Sequence, residues 1–178
     1  MRKVLIALVI ALAVAPAASA KNPHDQTEPS PSTTTIVQGP TVIPQSAVPS
    51  GGLTAPAAGG AVPASSSCGA CIATCWSSTT RSGPSDYSGH VYIYQHLSWC
   101  GNGAQITNAS VWQSYDQYGW YSLSNTYGPW WSGGCVGCPS IRASGYILWD
   151  WSSPLIGFHQ SGTSHLDSVM YAYGGLSF

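Results

Sequence analysis

Charge is what this 178-residue chain has least of: Asp, Glu, Lys and Arg together make up 6% of it, and the formal net charge is −1. From Cys68 onward there is no Glu and no Lys, and the charged side chains are Arg81 and Arg142 against Asp86, Asp116, Asp150 and Asp167. A surface without a basic stripe cannot neutralise a row of phosphates, which argues against nucleic acid as a partner. So few carboxylates leave little for a glycosidase, which needs a matched pair flanking the scissile bond. No G-x-S-x-G elbow, phosphate-cradling glycine loop or H-E-x-x-H helix occurs, and no cofactor is implied. No long stretch carries a helical period either, which excludes a helix bundle.

What is present begins with an export signal. Arg2 and Lys3 form a positive start, Val4 to Val14 an apolar run, and Ala18-Ser19-Ala20 a small-residue cleavage site. The run is about half the ~20 residues that a membrane-spanning helix needs. Residues 1–20 are therefore expected to be removed and the chain secreted, with no membrane span left. Residues 21–67 are rich in Pro, Ser, Thr, Ala and Gly and hold no aromatic residue. Such a composition buries too little apolar surface to offset its ordering entropy, so a disordered linker or pro-segment is expected there.

At Cys68 the character reverses: all eight Trp, all ten Tyr and both Phe lie beyond it. Short β-branched and aromatic runs are separated by Gly, Pro, Ser and Asn. They fall at Ile72–Trp76, Val91–Leu97, Gln105–Tyr115, Gly119–Asn125, Trp130–Trp131, Gly145–Trp151, Leu155–His159 and His165–Tyr173. This spacing predicts one all-β domain over 68–178, an antiparallel sandwich or barrel of about eight short strands. In the run from His90, alternation puts Val91, Ile93 and Leu97 on the core side and His90, Tyr92, Tyr94 and His96 on the other. Asn102-Gly103 then marks a hairpin turn. Trp149 and Trp151 share a face with Ile147 and are assigned to the core.

Cys68, Cys71, Cys75, Cys100, Cys135 and Cys138 all survive signal cleavage. An even number in a small secreted domain reads as a disulfide framework, with fifteen possible pairings. The short spacings at 68–75 and 135–138 also fit zinc knuckles, but secretion and the long gap containing Cys100 argue against a metal.

Trp99-Cys100-Gly101-Asn102-Gly103, Ile106-Thr107, Val111-Trp112-Gln113 and Trp130-Trp131-Ser132-Gly133-Gly134 are similar to segments of a loose group of small secreted bacterial proteins, mainly from high-GC Gram-positive bacteria. The resemblance covers residues 95–134 and implies secretion and a β-rich fold, with no activity attached.

Two kinds of site compete. Exposed aromatic rings suit sugar rings in water, and Tyr92, Tyr94, Trp130, Trp131, Tyr171 and Tyr173 are the candidates, with one ring of the tryptophan pair expected outward. A polysaccharide or cell-envelope component would be the partner. The alternative is a hydrolase or metal cluster of His159, His165 and Asp167, although His165 and Asp167 read more simply as outward residues of one strand. A bacteriocin-like secreted toxin also fits the size and the export signal. Oligomeric state is not legible in the sequence.

Overall fold

The computed structural model describes residues 32–48, 53–54, 73–155 and 157–178. The export signal over 1–20, Cys68 and Cys71 lie outside these residues. Ten strands follow in order among the described residues: β1 (Thr33–Ile43), β2 (Leu53–Thr54), β3 (Thr74–Gly83), β4 (Ser85–Asp86), β5 (Gly89–Gly101), β6 (Ile106–Gly119), β7 (Tyr121–Gly134), β8 (Ser140–Ser152), β9 (His159–Tyr171) and β10 (Leu176–Ser177). They make two antiparallel sheets, one ordered β1-β3-β5-β6-β2 with β4 beside β5, the other β10-β9-β8-β7. The fold is therefore an all-β sandwich. No helix among the described residues is long and apolar enough to cross a membrane.

The core sits where alternation puts it. Leu97, Trp99 and Val111 of the first sheet meet Ile141, Ala143 and Met170 of the second. Val91 and Ile93 meet Ile147, Trp149, Trp151 and Leu166 in a second cluster. Between the clusters runs a polar waist, where Thr80 and Ser168 hydrogen bond across the sheets at 3.2 Å and the fully buried Gln95 lies opposite Gln113. Indole N–H groups that are buried need acceptors. Trp99 donates to the Tyr171 carbonyl at 3.0 Å, Trp149 to Ser164 Oγ at 3.0 Å and Trp151 to Ser88 Oγ at 2.9 Å.

Three sequence expectations change. The linker expected over 21–67 contains a strand: Thr33–Ile43 pairs antiparallel with β3 from Thr33↔Gly83 to Ile43↔Cys75. Its β-branched runs Thr33-Thr34-Thr35-Ile36-Val37 and Thr41-Val42-Ile43 fit an extended edge, held by a ladder rather than by burial, as its mostly exposed side chains show. Pro40 is compatible with that place, since an edge strand can spare an N–H. The expected strands at Gly119–Asn125 and Trp130–Trp131 are one continuous β7, and at the expected strand Leu155–His159 the described residues give a turn at Pro154-Leu155, with β9 beginning only at His159.

Two disulfides occur among the described residues. Cys75–Cys100 staples β3 to β5 at directly opposite positions, across a sequence separation of 25, and Cys135–Cys138 closes the turn before β8. The hairpin at Asn102 forms as expected: its side-chain Oδ1 accepts from the N–H groups of Ala104 (3.0 Å) and Gln105 (2.8 Å), and Gly103 takes φ 88°. At the far end of β6, Gly119 has φ 76°, and a Cβ there would lie 1.9 Å from the Ser88 carbonyl oxygen, so only glycine lets the chain leave one sheet for the other.

Candidate functional site

With the core on one side of the first sheet, its other side is free to carry function, and most of its rings stand there. On β5 the outward residues are His90, Tyr92, Tyr94 and His96, and the register of β6 sets Tyr118, Asp116, Ser114 and Trp112 opposite them in turn. The rings form a continuous file. His90 stacks on Tyr92 with centroids 4.7 Å apart, Tyr92 meets Tyr94 edge-on at 6.1 Å, Tyr94 lies 6.4 Å from His96, and His96 stacks on Trp112 at 3.6 Å. Tyr118 closes the other end beside His90 at 6.1 Å and is 71% exposed.

Polar groups fix the file in place. The Arg81 guanidinium sits 4.5 Å over the Tyr92 ring, a cation–π contact, and its Nε donates to Thr35 Oγ1 of β1 at 3.2 Å. Asp116 pairs with His90 Nε2 at 3.0 Å. His96 is held at both nitrogens, by Thr79 Oγ1 at 3.2 Å and Ser114 Oγ at 2.8 Å. A hydroxyl can give or take a proton, so a neutral imidazole satisfies both partners. Trp112, 45% exposed, rests one face on this anchored ring and has no other aromatic neighbour among the described residues.

Burial pushes the His96 pKa below its usual 6.5. The unfolded chain then takes up the proton first, so this residue's contribution to stability is complete above the unfolded pKa and is lost as pH falls through the folded one. The melting temperature is expected to drop on acidification from pH 7 to 5, and to drop less in His96→Phe, which keeps a ring under Trp112 but cannot titrate. Equal slopes for the two proteins would refute this role.

The six aromatic residues singled out in the sequence lie in three places. Tyr92 and Tyr94 belong to the file. Trp130 is on the outer face of the second sheet, where it meets Tyr146 edge-on at 6.0 Å and Tyr146 stacks on Tyr127 at 4.5 Å. Trp131 turns inward and packs against the core. Tyr171 and Tyr173 stack on each other at 5.3 Å at the end of β9, with the Tyr171 hydroxyl 3.3 Å from Ser177 Oγ.

His159, His165 and Asp167 share the outer side of β9 but do not converge. The strand rises about 3.3 Å per residue, which spaces His159 from His165 by about 20 Å. His165 packs on Tyr146 at 5.3 Å, and Asp167 accepts a hydrogen bond from Ser144. Among the described residues no three His, Cys, Asp or Glu side chains are grouped to hold a metal. Sequence reasoning passed over Trp112, Tyr118, Arg81 and Asp116, which only strand register brings to Tyr92 and Tyr94. No family model matches the chain, and no curated protein or solved structure does either.

Proposed function

We propose that this is a secreted, extracellular protein that binds a glycan or another cell-envelope polysaccharide through the ring file on its first sheet. The observation that carries the reading is the position of the file: rings in line on one sheet, on the face opposite both core clusters, ending in a half-exposed Trp112 whose orientation is fixed from below by His96. Rings in that position are not required for packing, and a rigid ring loses little freedom when a sugar stacks on it. Arg81, Asp116, Ser114 and Thr79 line the file with donors and acceptors for hydroxyl groups. Two disulfides support an oxidising, extracellular setting, in keeping with the export signal at 1–20. The scattered places of His159, His165 and Asp167 give a hydrolase no comparable support.

Trp112→Ala is expected to weaken retention on insoluble envelope polysaccharide about tenfold, the equivalent of ~1.4 kcal/mol, while leaving the melting temperature nearly unchanged. The measurement is depletion from solution by peptidoglycan, chitin and cellulose, beside a thermal melt of each protein. Wild-type protein that stays in solution with all three, or a variant retained as well as wild type, would remove the reading.

A further inference from the structure

The second sheet carries a feature that the ring file does not use. A pocket of about 220 Å³ opens on its outer face, lined by Ser132, Gly133 and Gly134 of β7, Ser140 and Arg142 of β8, and Val169 of β9. Arg142 is exposed, and among the described residues it has no hydrogen-bond or ion-pair partner, whereas the other described cation, Arg81, is committed to Tyr92 and Thr35. The nearest carboxylate on this face, Asp167, is occupied by the Ser144 hydroxyl, which also hydrogen bonds Ser132. Ser140 lines the same pocket, and its hydroxyl has no hydrogen-bond partner among the described residues.

Further along the same face stands Trp130, two residues before Ser132 of the pocket lining. Register places Gly133 opposite Arg142 and Trp130 opposite Ser144, and Trp130 is 40% exposed against Tyr146. Arg142 and Ser144 are two apart on one face of β8, a step of about 7 Å. A guanidinium offers a planar fork of donors that matches a carboxylate or a phosphate with two parallel hydrogen bonds.

We infer that Arg142, Ser140 and Trp130 form a second binding site, for an acidic sugar unit whose carboxylate or phosphate enters the pocket while its ring rests on Trp130. The inference deepens the glycan reading and rests on it for the sugar, but not for the anion. Nothing in the overall charge draws a polyanion in from a distance, so recognition is local to this one fork.

Gly133 supplies a test that leaves the charge in place. A Cβ on it would meet only Arg142 Cβ, at 3.9 Å, an ordinary contact, so Gly133→Leu fills the pocket from its own wall. Full-length mature protein is assayed on immobilised polygalacturonate and on poly(glycerol phosphate). Wild type is expected to be retained on at least one, and Arg142→Gln and Gly133→Leu to lose retention at least tenfold with unchanged melting temperature. Retention on polygalacturonate alone assigns the carboxylate, and retention on the phosphate polymer alone assigns the phosphate. Both variants keep Trp112, so they should hold neutral polysaccharide as wild type does, and Trp112→Ala should show the reverse pattern. Acidic-polymer retention unchanged in Arg142→Gln overturns the second site and leaves the ring file standing. If wild type holds no polymer at all, titration with galacturonate and inorganic phosphate, read at the Arg142 Nε–H resonance, decides the anion site by itself: saturable shifts lost in Gly133→Leu support it, and no shift overturns it.

Discussion

A chain that starts at Cys68 is expected to be much less stable than one that starts at residue 32, and to self-associate. Without β1 the whole of β3 becomes an open edge and eight paired positions lose their partners, and β6 loses the two positions it pairs with β2. Side chains lose theirs as well: Ser78 donates to the Gln38 carbonyl, Arg81 to Thr35, and Ser32 reaches across to Ser164 of the second sheet at 2.6 Å. Each such hydrogen bond is worth about 1 kcal/mol net. A few such bonds are already a sizeable part of the about 5–15 kcal/mol that holds an ordinary domain together. Urea midpoints of the two fragments, with light scattering at matched concentration, make the comparison. Equal midpoints and a monodisperse short fragment would show that β1 and β2 contribute nothing.

Three tryptophans should rank in the order Trp99, Trp131, Trp130 when each is replaced by Ala. Trp99 is fully buried in the first core cluster and donates to the Tyr171 carbonyl, so its removal opens a cavity and orphans an acceptor. A cost of about 3–5 kcal/mol is expected. Trp131 packs against the same cluster but keeps part of its surface in solvent, which puts it near 2 kcal/mol. Trp130 touches Tyr146 on the outer face, and its loss should stay within about 1 kcal/mol. Denaturant midpoints at constant m-value report all three. Trp130→Ala as damaging as Trp99→Ala would mean that the outer ring holds the sheet together and is not free to bind.

Strand character and facing were legible wherever alternation was clean. Val91, Ile93 and Leu97 turn inward, Tyr92 and Tyr94 outward, and Trp149 and Trp151 fill the core with Ile147, all as period two dictates. Register was not legible. Gly101 lies opposite Ile106, but Cys100 lies opposite Asn108, so Thr107 is an extra residue on β6. Counting back from the turn without it sets Val111 against His96, and the inserted residue brings Trp112 there instead. One bulge therefore decides whether the file ends in a valine or a tryptophan. Strand β1 was hidden for a different reason: its ladder depends on a partner far along the chain, and the composition around it records only that it has no core to bury in. The pocket at Arg142 was hidden because it lies between strands whose pairing contains several irregularities.

The same distance along the chain orders the steps by which the molecule assembles. β5 and β6 meet across the turn at Asn102, and β8 is followed directly by its partner β9, so these hairpins close over short loops and can form early. β1 leaves the ribosome before any of them, yet its nearest pair, Ile43 with Cys75, must wait for β3, and β3 gains its own footing only against β5. Closing that long loop is rewarded only after the edge it docks on exists. Among the described strands, the first made is then expected to be fastened only after β3 and β5 have paired, and to be released early when the native state opens.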